Sequence, residues 1–463
     1  MALFELLSYW VGYAVVYLFL LIAVAFIACC LYLKHIHMKY DHIPGPPRDS
    51  FFLGHTPTML GDQRRGANMH DRSLQWAETY GPVYRINSLH FVLVVVTCPE
   101  TTKEVLMSTK YPKDELLYKR LFNLCGVRFL GNGLVSSTNH QQWYKQRRIM
   151  DPAFSSLYLR GLMGTFNERA EHLMDELTKL ADSKQEAKMM QLVNRVTLDI
   201  ITKVAFGMEL DLVNNNDSPF PKAIETCLKG MVANIRDLLF ELKPWNRPFI
   251  KEVREACQLL RSAGAACISE RRTAIQNRDN VPKDILTQII KSAGQEEMTK
   301  DDEDFMLDNF VTFLIAGEQD HSNQLYDTGK TPDILEKVQK EVDAVIGMKQ
   351  EISYDDLGEL TYLTQVLKET LRLYPPAPGT SREVSDDMTI GGVHVPGGAI
   401  HVFDLMFVGG WKNSSRTHRR STRTGFIQTH PSLTTATSPS LWDHAAAWDR
   451  SLHRWRPRAN HKM

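Results

Sequence analysis

A chain of 463 residues with 43% hydrophobic and 23% charged side chains has globular composition and is too long for one small module, which excludes disordered, collagen-like and disulfide-knot classes. Its 54 Lys and Arg balance 54 Asp and Glu, so net charge gives no footprint for a nucleic-acid partner. That balance conceals an asymmetry: residues 411–463 carry ten basic residues against Asp443 and Asp449 and are +8, leaving −8 for residues 1–410.

The first predicted element is a membrane helix. Leu6 to Leu33 is 28 residues without a charge, and at ~1.5 Å per residue it outspans the ~30 Å hydrocarbon core. A cleaved signal has an apolar region of only ~7 to 15 residues, so an anchor over 1–33 is expected. Lys34, His35, His37 and Lys39 follow it and Glu5 precedes it, which by the positive-inside rule places the rest of the chain in the cytosol. Pro44-Gly45-Pro46-Pro47 forbids helix and predicts an extended stalk, closing a basic flank and proline-rich hinge at 34–49.

Residues 50–410 read as one catalytic domain, mainly α with a minor β region. Clustered β-branched residues predict a strand at Phe91 to Val96. Apolar positions near a 3.6 period predict helices at Leu157 to Leu180, Met189 to Phe206 and Val253 to Asn277. The chain has no Gly-rich phosphate loop, GxSxG elbow or HExxH pair, so NTPase, serine-hydrolase and zinc-protease readings lack their chemistry. Seven cysteines, at 29, 30, 98, 125, 227, 257 and 267, form no CxxC pair and are odd in number, which fits a reduced, cytosol-facing compartment and supplies no metal site of its own.

The informative constellation lies further on. Glu369-Thr370-Leu371-Arg372 runs straight into Leu373-Tyr374-Pro375-Pro376: Glu and Arg at i and i+3 share a helix face, and the proline ends the helix. Trp143 and Arg147 stand one turn apart, and Arg382 lies just past the proline turn.

In these four ordered features, and in His42-Ile43-Pro44-Gly45-Pro46-Pro47-Arg48, the sequence resembles the microsomal cytochrome P-450 family of haem-thiolate monooxygenases. Within it the chain is most similar to the branch that hydroxylates the cholesterol side chain. The resemblance implies a P-450 fold, haem b as cofactor, a sterol substrate, NADPH-cytochrome P-450 reductase as electron donor, and a single-pass endoplasmic reticulum location. It implies that Arg147 and Arg382 bind the haem propionates with Trp143 in support. That role suits Arg chemically, because carboxylates in an apolar pocket need permanent, hydrogen-bonding cations. Glu369 and Arg372 become a structural ExxR pair, and the loop carrying Leu117, Tyr118 and Leu121, with Ala377, lines the substrate channel.

Two departures bear on activity. The family's oxygen-activating helix carries Ala-Gly-x-acid-Thr, whereas this chain has Ala316-Gly317-Glu318-Gln319-Asp320-His321, so Asp320 stands where the proton-relaying Thr belongs. Only 14 residues separate Gly317 from Pro332, and Tyr326 to Lys330 reads as a turn, so the long helix is expected to be interrupted. The second departure is the axial ligand: the family's Phe-x-x-Gly-x-Arg-x-Cys-x-Gly loop should follow, yet this chain has no Cys after Cys267. His444 and His453 are no equivalent donors.

The tail 411–463 holds 14 Ser or Thr, four Trp and five His without helical or strand period. Its codons suggest why. Trp has the single codon TGG, so Trp442-Asp443 and Trp448-Asp449 each force a GGA glycine codon when every third base is grouped with the next two. Those glycines are six positions apart, the spacing of the missing loop. The same register permits Phe-Ser-Leu-Gly-Pro-Arg-Ser-Cys-Leu-Gly, and Arg420 through Phe426 permits Phe-Asn-Pro-Asp-Arg-Phe, the element before that loop. A single-register frameshift near Gly409 to Trp411 is therefore expected, against the alternative of a genuine second C-terminus. The competing functional reading is an inactive relative, or a haem-free sterol-binding membrane protein.

Overall fold

The structure, a computed structural model, describes residues 2–65, 69–108, 110–215, 217–282, 284–292, 300–317, 331–373, 377 and 379–404. In chain order these form α1 Ala2–Tyr40, α2 Thr56–Arg64, α3 Met69–Tyr80, β1 Val83–Ser88, β2 Phe91–Val96, α4 Pro99–Leu106 and α5 Glu115–Phe122. They continue with β3 Asn123–Leu124, β4 Val127–Arg128, α6 His140–Met150, α7 Ser156–Gly161, α8 Met163–Asp182, α9 Met189–Phe206, α10 Pro219–Arg236 and α11 Arg247–Gln276. The remainder is α12 Ile285–Ser292, α13 Lys300–Gly317, α14 Pro332–Val345, α15 Tyr354–Glu359, α16 Thr361–Leu373, β5 Gly379–Val384, β6 Met388–Ile390, β7 Val393–Val395 and β8 Ala399–Asp404. The predicted mainly helical class with minor sheet is what these residues adopt. The described chain divides into two compact units, residues 1–105 with 381–404, and residues 106–380.

The first unit is built on a four-stranded sheet in the order β1-β2-β8-β5. β1 and β2 are antiparallel, Val83 opposite Val96 and Ser88 opposite Phe91, while β2 and β8 run parallel from Leu93 opposite Ile400 to Val96 opposite Phe403. The predicted strand Phe91–Val96 is β2. Every residue of β1 is buried, as expected of a strand covered on both faces. Among the described residues one helix, Tyr9–Tyr40, is long and apolar enough to cross a membrane.

Helix α1 does not stop at the basic flank. It runs on to Tyr40, where Leu33, His37 and Tyr40 are buried, His37 meets the Phe51 ring edge-on at 5.2 Å, and Lys39 Nζ donates to Gly397 O at 2.8 Å. The proline segment that follows is seated on β1 and is not a free stalk. Arg85 N donates to Pro44 O at 2.8 Å, His55 Nε2 lies 2.9 Å from Pro46 O, and a Cβ on Gly45 would lie 2.6 Å from Arg85 O. The sequence signal for an extended chain was sound, but prolines keep their carbonyl acceptors, and these were free to dock.

In the same unit Asp62 joins α2 to α3. Its buried carboxylate accepts from Arg72 Nε at 2.7 Å and from Arg65 at 3.0 Å, and the Arg72 hydrogen bond holds its pKa below the ordinary 3.8. A depressed carboxyl contributes stability that is full above its unfolded pKa and is lost as pH falls through the folded value. The stability gap between the parent chain and Asp62→Asn is thus expected to be complete at pH 7 and to close as pH falls below about 4. Denaturant titrations at both ends of that range check it, and a gap that persists unchanged to about pH 3 overturns it.

The second unit is a helical body around α9, α10, α11 and α13. Phe310, Val311, Phe313 and Leu314 of α13 are buried, and the Phe206 ring of α9 lies 4.3 Å from that of Phe310. Gly264 of α11 lets α13 approach, since a Cβ there would sit 2.6 Å from the Phe310 ring. The helix expected at Met189 to Phe206 has those bounds, and Val253 to Asn277 falls within the longer α11, apart from its last residue, the C-cap. Leu157 to Leu180 is split into α7 and α8. Helix α7 buries none of its side chains, and Gly161 and Gly164 lower helix propensity at the join.

Candidate functional site

Most of the candidate residues lie in the second unit. Trp143 and Arg147 are on α6, whose N-cap Asn139 accepts from Gln141 N and Gln142 N. Trp143 stacks on His140 at 5.7 Å and packs against the apolar core. Arg147 is buried, with Nε 2.7 Å from Asp151 Oδ1. Arg147 is thus a buried cation whose Nε is already paired with a carboxylate.

Glu369 is half-buried on α16. That helix is positioned by Glu341 of α14, whose two carboxylate oxygens accept from Tyr362 N and Leu363 N at 2.7 and 2.8 Å, an anion at a helix N-terminus. Arg372 is in the last turn of α16, so the expected shared helix stands, while Pro375 and the arginine side chain lie outside the described residues. Arg382 is on β5 in the first unit, half-buried, with one guanidinium nitrogen donating to Ser381 O at 2.9 Å.

Leu117, Tyr118 and Leu121 are helical and do not form a loop. Asp114 caps α5 by accepting from Leu117 N at 2.8 Å, a start signal strong enough to override the loop reading. Tyr118 and Leu121 are buried, with Leu117 packed against the same core. The Tyr118 hydroxyl lies 2.9 Å from Thr380 Oγ1, three residues beyond Ala377, so the structure joins α5 to the segment after the proline turn, two of the elements expected to line a substrate channel. Arg120 fixes the other side of α5, donating to Asn234 Oδ1 at 2.8 Å and to Leu238 O at 3.0 Å.

Ala316 and Gly317 are the last residues of α13. Asp320 and the expected turn at Tyr326 to Lys330 lie outside the described residues, as does the whole tail with His444 and His453. One turn before Ala316, the Thr312 hydroxyl donates to Asp308 O at 2.8 Å. Asp308 itself was not anticipated. Its side chain is 0% exposed and takes hydrogen bonds from Arg128 Nε at 2.9 Å and NH2 at 2.6 Å, Arg261 NH1 at 2.9 Å, and Asn132 N at 2.8 Å. Gly131 permits this, since a Cβ there would overlap the carboxylate at 2.1 Å. A lone acid inside the apolar run Phe305 to Ile315 was the signal available, because a charge in such a run is buried only when paired.

The axial donor is the point on which the chain and a haem group disagree. Cys29 and Cys30 belong to the apolar helix. Burial pushes the Cys125 thiol up to about 12 and the Cys267 thiol up to about 11, and Cys267 Sγ is directed at Phe206 O, 3.7 Å away. Cys227 and Cys257 are buried against each other. A haem-thiolate ligand must be a thiolate facing a pocket; Cys125 and Cys267 are thiols kept protonated by burial, Cys227 and Cys257 are enclosed between helices, and Cys98 is half-buried just past β2 in the first unit. Among the described residues no group of three or more His, Cys, Asp or Glu could hold a metal ion.

A family model described as Cytochrome P450 matches residues 44–408. Cytochrome P450 monooxygenase 91 of Postia placenta is 28% identical over 77% of this chain and 69% of its own length. Cytochrome P450 4d2 of Drosophila melanogaster is 26% identical over 69% and 67%, and Cytochrome P450 3A29 of Sus scrofa 28% over 81% and 76%. None of these three names states a substrate.

Proposed function

Because this chain belongs to the cytochrome P450 family, we propose that it is a membrane-bound monooxygenase of the cholesterol 24-hydroxylase type, whose present C-terminus has lost the haem loop. Family membership implies haem iron, the group that activates oxygen for insertion into a C–H bond when it is bound. The observation that carries the substrate reading is the Tyr118–Thr380 contact. It joins α5 to the segment after the proline turn, the two elements assigned to the channel. Arg147 and Arg382 are assigned to the propionates, Trp143 to support, Glu369 and Arg372 to the structural pair, and Leu117, Tyr118, Leu121 and Ala377 to the sterol channel.

The tail is assigned to a shifted register on the two forced glycine codons. Sequencing the transcript across the codons for Phe407 to Lys412 tests this, and an unbroken frame in independent clones overturns it. The frame-restored protein is expected to bind haem with a thiolate-type carbon monoxide spectrum, and cholesterol should shift its ferric Soret band. A normal haem spectrum unmoved by any sterol keeps the family and discards the substrate. The second reading, a haem-free sterol binder, is favoured by the enclosed cysteines, and retention of radiolabelled cholesterol by the chain as written would support it.

The uncharged span and its basic flank assign the domain to the cytosolic face of the endoplasmic reticulum, where a reductase reaches it. Protease added to intact microsomes is expected to digest the chain beyond residue 50. Protection of that part in sealed vesicles overturns the topology.

A further inference from the structure

Cys227 of α10 and Cys257 of α11 are both 0% exposed, and their Sγ atoms face each other at 3.6 Å. Their approach is set by the backbones. A Cβ on Gly230 of α10 would lie 2.7 Å from Val253 Cγ2 of α11, so the two helices meet there without room for a side chain. Cys227 is one turn before Gly230 and Cys257 one turn after Val253, which in an antiparallel pair is the adjacent layer of the same interface. Neither is in a disulfide, and forming one would draw the two sulfurs from 3.6 Å to the ~2.05 Å of an S–S bond.

We propose that Cys227 and Cys257 are a redox-active dithiol that a peroxide closes to a disulfide, covalently pinning α10 to α11. The first thiol reached displaces hydroxide from hydrogen peroxide and becomes a sulfenic acid, with its proton completing one water. The second thiol attacks the sulfenic sulfur and expels a second water, so two electrons leave the sulfur pair and one peroxide is reduced. Enclosure makes the reaction depend on local opening of the helix pair. Cys125, in the same core, keeps its proton because burial pushes it up to about 12.

The consequence for the site runs through Arg120, which ties α5 to Asn234 of α10. Pinning α10 restrains the helix that carries Leu117, Tyr118 and Leu121. This consequence rests on the channel reading of α5, whereas disulfide closure does not.

The test uses the full chain in detergent, treated with hydrogen peroxide, quenched with N-ethylmaleimide and digested without reduction. Mass spectrometry is expected to find the Cys227 and Cys257 peptides joined, lighter by two hydrogens than their sum and separated by dithiothreitol. Cys227→Ser and Cys257→Ser each abolish the joined species, and Cys125→Ser retains it. Recovery of both residues as alkylated thiols while the exposed Cys29 or the half-buried Cys98 is oxidised overturns the proposal. Amide exchange in the joined protein is expected to slow by about threefold or more over α10 and α11, and over α5 as well. Unchanged exchange over α10 and α11 overturns the pinning, and slowing confined to those two helices overturns the link to α5. Every readout is independent of haem and of turnover.

Discussion

Expressed as it is written, the chain is expected to carry at least about tenfold less haem per polypeptide than the frame-restored chain, and no thiolate-type carbon monoxide absorption. Removing a residue that merely orients a metal ligand costs about 10- to 100-fold in affinity, and here the ligand itself is missing. Neither Cys125 nor Cys267 can substitute, since burial pushes both thiols well above their ordinary value. Restoring the frame is expected to return the haem before full turnover, since on the proposed assignment Asp320 takes the place of the proton-relaying Thr and puts a carboxyl where a hydroxyl belongs. Haem content by pyridine haemochrome, measured on both chains after identical expression with added haem precursor, decides the matter. Near-stoichiometric haem with thiolate-type absorption in the uncorrected chain would overturn the reading of the tail.

The largest stability effect is expected at Asp308. Asp308→Ala leaves Arg128 and Arg261 facing each other across a carboxylate that is 0% exposed in the parent chain, and breaking such a buried pair costs about 3–5 kcal/mol. In a unit of this size that lowers Tm by about 10 °C. It also strips Asn132 N of its acceptor, adding an unsatisfied donor to two cations left with only the partly exposed Asp304 beside them. Asp304 touches the same guanidinium of Arg128 at 3.0 Å but is 30% exposed, so Asp304→Ala is expected to lose about 1 kcal/mol or less. Thermal unfolding of the two variants side by side is the measurement. Equal losses would show that the buried carboxylate contributes no more than its exposed neighbour.

Comparison with the sequence reading shows which physics is written locally. β2 was legible because a run of β-branched residues between turn signals has few alternatives, and α9 because its apolar period is unbroken from Met189 to Phe206 and ends at Gly207, whose φ of +65° suits glycine. The long apolar helix α1 was legible from length and composition alone. The conformation of Leu117 to Leu121 was not: eight residues give too little period to reveal a helix, and its cap, Asp114, is a single side chain. Tyr118 meeting Thr380, and Asp308 meeting Arg128 and Arg261, were hidden for another reason. Partners 262, 180 and 47 residues apart leave no spacing pattern, and only the fold brings them together. The arginines assigned to the propionates were picked out by ordered motifs, while the fate of the cysteines depended on burial that no spacing encodes.

The unbroken run of α1 into the sheet unit has a mechanical consequence. With Leu33, His37 and Tyr40 all buried and Lys39 and Tyr40 bonded to Gly397 O, the join has no swivel, and the helix acts as an axle keyed to the body it carries. In the proposed membrane setting its angular phase selects which side of the sheet unit faces the bilayer. One residue inserted between Phe26 and Leu33 would advance the body by ~1.5 Å, a trivial height, but turn it by ~100° about the axle. Four inserted residues raise it by ~6 Å yet bring it back to within ~40° of its starting azimuth. The number of residues in this stretch is therefore set by rotation more tightly than by reach, and an anchor exchanged for another of equal hydrophobic length still has to arrive in phase.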